Sequence, residues 1–151
     1  MGCGKTSLSK HIASHYNYNI IETDRLLIDQ ERKSINKIFE EKGELFFRIK
    51  EKEIIKKLKK RSKSIISTGG GLPCFEDNMD ILNKKGNTIY IRLREKTIYN
   101  RLRENKKERP LIKEMTDNEL KSFITTELKN REKYYLKAKY IIDADNYSIN
   151  E

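Results

Sequence analysis

The chain has no tryptophan and only two prolines, two cysteines and two histidines among its 151 residues. Cys3 and Cys74 make neither a C-x-x-C pair nor a disulfide framework, and thiols used this sparingly point to a reducing cytoplasm. His11 and His15 stand four apart in HIASH, but without an adjacent glutamate or a third ligand they do not make a zinc helix. No apolar run approaches the roughly 18 residues that a membrane span requires, and no basic stretch followed by an apolar one marks a secretory leader. No Pro- or Ser-rich linker, repeat or low-complexity tract divides the sequence. Residues 1–151 are therefore expected to form one domain, large enough to bury a core.

What is abundant is charge. Lysine and arginine number 33 against 23 aspartates and glutamates, a net +10. Such an excess suits nucleic acid or a small anion. The lysines, however, are spread through Lys50–Lys63, Lys84–Lys85 and Lys106–Lys113 and interleaved with glutamates, which describes a solvated surface. No aromatic–basic stacking motif or reading helix accompanies them. The expected partners are small molecules, with neither nucleic acid nor membrane.

Short apolar runs alternate with longer amphipathic ones. Strands are predicted over 17–23 (NYNIIET), 63–68 (KSIIST), 87–93 (NTIYIRL) and 138–144 (AKYIIDA), and helices over 5–15, 34–61, 75–85, 95–105 and 116–136. This alternation predicts an α/β fold, a parallel β-sheet flanked by helices. The strands are apolar without alternation, as when both faces are covered.

The opening GCGKT (2–6) is the second half of the phosphate-binding pattern G-x-x-x-x-G-K-[ST]. In such a loop the backbone N–H groups converge on phosphate oxygens at a helix N-terminus. Lys5 would reach the β- and γ-phosphates and the Thr6 hydroxyl would ligate Mg²⁺. Alone, the remnant reads equally well as a glycine-rich stretch with an incidental Lys-Thr. The first glycine of the full pattern, and the strand that normally precedes it, fall ahead of residue 1. The expectation is that Met1 is an internal methionine and that an N-terminal strand is missing from this chain.

Five further stretches carry chemistry. In IIETDRLL, Glu22 and Asp24 stand two apart at a strand end and so point to one side of the sheet, where open α/β sheets bind ligands. One could accept a proton from an attacking hydroxyl while the other holds a metal-bound water; Asp24 could equally cap a helix. In GELFFR, Arg48 lies beside Phe46 and Phe47, a setting that lets a guanidinium grip a carboxylate through two parallel N–H bonds. STGGGLP places Gly69, Gly70 and Gly71 after a strand, more glycine than a plain turn needs, and allows close backbone approach to a ligand. Two arginines follow: Arg109 in NKKERPLI, which is either a water-excluding lid or a surface loop, and Arg131, among lysines on a helix.

Taken together and in order, GCGKT (2–6), ETD (22–24), F-x-x-x-G-E-x-x-F-R (39–48), S-x-G-G-G (67–71), R-P-L (109–111) and N-R-x-x-Y-Y (130–135) resemble the shikimate kinase family. The resemblance covers almost the whole chain. It implies a P-loop fold of the nucleoside-monophosphate-kinase type, acting as an ATP:shikimate 3-phosphotransferase in aromatic amino acid biosynthesis, with Mg²⁺ as cofactor and a monomeric state. It assigns ATP to Gly2, Cys3, Gly4, Lys5, Thr6, Arg103 and Arg109, with Lys5, Asp24 and Arg109 catalytic and Asp24 the base. Shikimate falls to Asp24, Arg48, Gly69, Gly70, Gly71 and Arg131 within a binding segment at about 22–61 and beyond it. Mg²⁺ falls to Thr6 and, through water, Glu22; the lid falls at about 104–113. The family usually has Asp where Glu22 stands, so the charge here sits one methylene further out. Gluconate kinases and nucleoside-monophosphate kinases share the GKT, and an inactive, truncated basic binding module is the alternative from a different class. The paired arginines and the triple glycine favour shikimate.

Overall fold

The computed structural model describes residues 2–59, 63–106, 111–145 and 147. The chain runs α1 (Lys5–Tyr16), β1 (Asn19–Glu22), α2 (Thr23–Glu31), α3 (Ile35–Lys57), β2 (Ser64–Ser67), a 3₁₀ turn at Leu72–Cys74, α4 (Asn78–Lys85), β3 (Ile89–Arg92), α5 (Glu95–Glu104), α6 (Asp117–Tyr135) and β4 (Tyr140–Asp143). All four predicted strands are present, each as its isoleucine-rich centre. They pair in parallel, β1 with β2 in the register Ile20 to Ile65, and β3 with β4 in the register Tyr90 to Ile141.

The expected single sheet is present as two separate parallel pairs among the described residues. The strand expected ahead of residue 1 lies outside the sequence. Coverage of both strand faces holds less well than the apolar composition suggested, because all four residues of β4 are exposed.

Two helical expectations also change. Residues 23–31 form a full helix that the sequence reading left unassigned. Its Leu27 is buried against Ile38, Phe47 and Ile54 of α3, so packing rather than a cap signal fixes it. The single helix expected over 34–61 ends at Lys57 and is broken at Gly43, whose φ of 77° and ψ of 172° lie outside helical space. Glycine tolerates that turn where a side chain would be strained. The break lets Glu44 open a second helical segment in a new direction.

The core lies in three clusters. One joins α2 to α3; a second sets Ile55 of α3 on Leu72, Met79 and Leu82; the third joins Leu93, Ile98 and Leu102 to Ile112, Leu120 and Ile124. α6 is fixed at its start by a capping box, Thr116 and Glu119 each bonding the other's backbone N–H. The stretch after β2 meets the start of α2 through Thr23 and the end of α6 through Tyr135.

Candidate active site

The phosphate-loop remnant sits at the start of α1. Gly4 is left-handed at φ 81°, a conformation suited to glycine, and its carbonyl accepts the first helical bond from the Leu8 N–H at 2.9 Å. Cys3 packs against the cluster around α5, and its Sγ accepts from Lys5 Nζ at 3.5 Å. Burial disfavours the Cys3 thiolate, yet nearby Lys5 carries its pKa below the usual thiol value. Gly2 lies so close to Leu102 that a Cβ there would stand 3.1 Å from it. Thr6 is exposed in the first turn of α1, where helix N–H groups are unpaired and the dipole is positive.

The chain passes from β1 into α2 within one residue, with Glu22 at the N-cap and Asp24 in the first turn. A helix does start here, but its N-cap is Glu22 with no side-chain cap bond, so Asp24 is not the cap that the sequence also allowed. Burial raises the Asp24 pKa; Lys5 and Arg48 oppose that rise and Glu22 adds to it. The Lys5 and Arg48 charges are thus near enough to Asp24 to be felt there. A Cβ on Gly69 would lie 2.8 Å from Asp24 Oδ1 and 3.0 Å from Glu51 Oε1, so two carboxylates converge where the glycine leaves room.

Beyond the Gly43 break, Glu44, Arg48 and Glu51 recur at i, i+4 and i+7 and share one helix face. Arg48 donates from Nη1 to Glu51 Oε2 at 2.6 Å, and from Nη2 and Nε to Glu44 Oε1 at 3.0 and 3.2 Å. Glu51 is 1% exposed. Burial pushes its carboxyl up to about 7, against the pull of Arg48, and its Oε1 has no hydrogen-bond partner among the described residues. Across from it, Arg131 on α6 is paired with Glu127 one turn earlier. Arg48, Arg131 and Gly71 line one open cleft of about 430 Å³, together with Glu44, Cys74 and Phe75.

The structure thus brings Asp24, Arg48, Gly69–Gly71 and Arg131 to one place, within reach of the Lys5 charge. Arg109 lies outside the described residues. Arg103 sits over the Tyr99 ring, with its Cζ 6.0 Å from the ring centre. The α5 arginine beside the loop is instead Arg101, whose Nη1 lies 3.6 Å from a Cβ built on Gly4. Sequence reasoning also missed roles for Thr23, Glu51 and Tyr135. The spacing of Glu51 from Arg48, three residues on a helix, was the available signal. So was the four-residue step from Arg131 to Tyr135.

The family model described as shikimate kinase matches residues 1–151. A shikimate kinase of Bacteroides thetaiotaomicron is 37% identical over 145 residues, which cover 96% of this chain and 83% of that protein. The crystal structure of shikimate kinase from that organism superposes with a TM-score of 0.91 at 34% identity, covering 99% of this chain and 88% of that one. The shikimate kinase of Acinetobacter baumannii, solved in complex with shikimate, gives a TM-score of 0.84 at 27% identity, over 99% of this chain and 82% of that one. With the phosphate loop, the carboxylates and the paired arginines in place, this chain belongs to the shikimate kinase family.

Proposed function

We propose that this chain transfers the γ-phosphoryl group of ATP to the 3-hydroxyl of shikimate. The observation that carries the substrate is the cleft that Arg48 and Arg131 enter from different helices beside Gly71. Two guanidinium groups so placed suit a single carboxylate on a small molecule. Asp24 is the group that takes the hydroxyl proton. Its raised pKa makes it a better acceptor than an exposed aspartate, and Lys5 beside it draws the phosphate to the same point.

Phosphoryl transfer needs placement and charge neutralisation more than covalent help. Gly2, Cys3, Gly4, Lys5 and Thr6 supply the phosphate cradle, with Arg101 approaching it and Arg103 on the outer side of α5. Arg109 would serve in a lid over about 104–113, and residues 22–61 supply most of the shikimate side. The Thr6 hydroxyl and the Glu22 carboxylate are hard oxygen donors that fit Mg²⁺. That ion is usually held by one or two carboxylates together with the substrate phosphates. When bound, Mg²⁺ would neutralise phosphate charge.

No helix among the described residues is long and apolar enough to cross a membrane. A monomer in the cytoplasm completes the reading. Its test is ADP release from ATP and Mg²⁺ with shikimate, gluconate or AMP as acceptor. Preference for shikimate is expected; equal turnover of all three, or none of any, would refute it.

A further inference from the structure

Two hydroxyls hold the glycine strap between β2 and the 3₁₀ turn. Thr23 is 0% exposed, and its Oγ1 accepts the Gly69 N–H at 3.2 Å. Tyr135 donates its hydroxyl to the Gly70 carbonyl at 2.6 Å. Within the strap, the Gly69 carbonyl accepts the Leu72 N–H at 3.3 Å and the Gly71 carbonyl accepts the Cys74 N–H at 3.0 Å. Three carbonyls and one N–H are thereby committed. The Gly70 and Gly71 N–H groups are left without a partner among the described residues.

Each hydroxyl belongs to an element that also carries a site residue. Thr23 immediately precedes Asp24, so its bond ties the start of α2 to the strap. Tyr135 follows Arg131 by one helical turn and lies on the same face of α6, so its bond ties that helix to the middle of the strap. Its ring rests against Tyr90, with centroids 5.1 Å apart, which helps to hold the phenol oxygen in place. Burial raises the Tyr135 pKa, so the phenol stays protonated and remains a donor.

We infer that Thr23 and Tyr135 are positioning residues, which set the spacing between Asp24 and Arg131 by pinning adjacent residues of the same three-glycine strap. The inference rests on the proposed function for its kinetic consequence. Its geometric content, the two pins, stands apart from that function.

The variants are Tyr135→Phe, which keeps the ring, and Thr23→Val, which keeps the volume, with Thr23→Ser as rescue. Tyr135→Phe is expected to raise KM for shikimate about tenfold, the effect of one hydrogen bond, while KM for ATP and kcat stay within twofold. Thr23→Val is expected to lower kcat about tenfold, and Thr23→Ser to restore it. Hydrogen exchange of the Gly69 and Leu72 amides, the two that are bonded in the strap, is expected to quicken about tenfold in both unrescued variants of the ligand-free protein, with α5 amides unchanged.

Unchanged exchange at the Gly69 and Leu72 amides would overturn the pins whatever the enzyme turns over. Faster exchange with unaltered KM for shikimate and kcat, in a wild type that does use shikimate, would overturn the positioning role. Should Tyr135→Phe fold incompletely, shikimate affinity by calorimetry reports on the folded fraction alone. Wild-type affinity there would likewise overturn the role. Failure of the wild type to turn over shikimate would refute the proposed function and leave the exchange result to judge the pins.

Discussion

Gly71→Ala separates substrate binding from folding. The backbone at Gly71 has φ −82° and ψ −20°, ordinary right-handed values open to alanine. Alanine there should gain about 0.4–1 kcal/mol by restricting the unfolded chain. The obstacle is a neighbour: a Cβ would lie 2.6 Å from both Cζ and Nη1 of Arg48. Those atoms cannot share that space, so the guanidinium must swing away, and its 2.6 Å bond to Glu51 goes with it. A hydrogen bond to a charged group is worth about 1.5–3 kcal/mol. Set against the alanine gain, the net destabilisation is about 1–2 kcal/mol, a Tm fall of several degrees for a chain of this size. Shikimate binding loses the Arg48 contact outright, so KM for shikimate should rise about 10- to 150-fold. KM for ATP should hold, since the phosphate loop is untouched. Gly86→Ala is the control: its φ is −171° and a Cβ there meets nothing within 4 Å. Steady-state kinetics at fixed saturating co-substrate, with thermal unfolding, reads both effects. A Gly71→Ala enzyme with wild-type KM for shikimate, or one in which both KM values rise equally, would refute the placement of Arg48.

Three other outcomes follow from the same geometry. The Glu51 carboxyl titrates near 7 in the fold against 4.5 in a free chain, so the folded state holds a proton that the unfolded state has released. Stability should therefore fall as pH rises from about 4.5 to about 7, and Glu51→Gln should flatten that slope in denaturant titrations. Gly69→Ala drives a Cβ to 2.8 Å from Asp24 Oδ1; kcat should fall by about 100-fold, more than KM for shikimate rises. Lys5→Met should lower kcat by about 100-fold or more, the effect of removing one charge-stabilising donor, while calorimetry shows shikimate still bound.

The fold was legible where pattern and period agreed. All four strands could be read because runs such as NIIE and SIIS leave the chain no better option. α2 escaped because Arg25, Asp29 and Gln30 dilute its apolar face; tertiary contact of Leu27 with α3 decides it. The break at Gly43 was visible only as a glycine, and its left-handed φ needed coordinates. For the site, the ordered motifs located Asp24, Arg48, the glycines and Arg131. They could not say what each touches. Thr23 reaches Gly69 across 46 residues and Tyr135 reaches Gly70 across 65, distances over which no local period carries information. Arg101 and Arg103 differ by two places on one helix, which turns them to opposite sides. The motif could not choose between them.

The glutamates around the cleft bear on how a substrate carboxylate can be received. Neither clamp arginine is unpaired before it arrives: Arg48 holds Glu44 and Glu51, and Arg131 holds Glu127. On the proposed function, binding would therefore be an exchange of partners, not a gain of two new ion pairs. The exchange is unequal. The side chain of Glu44 is 67% exposed, and pairs of that kind are worth about 0–1 kcal/mol, so water readily takes it off Nη2 and Nε. Glu51 has no such release, since its 1% exposure leaves an ionised carboxylate nowhere to be hydrated. It stays on Nη1 and holds the guanidinium plane while the opposite edge changes hands. One carboxylate thus keeps the arginine aimed and another keeps its outer edge paired until it is needed. The helical spacing of 44, 48 and 51 places both on one face, which is why a segment beginning at the Gly43 break can present a prepared arginine to the cleft.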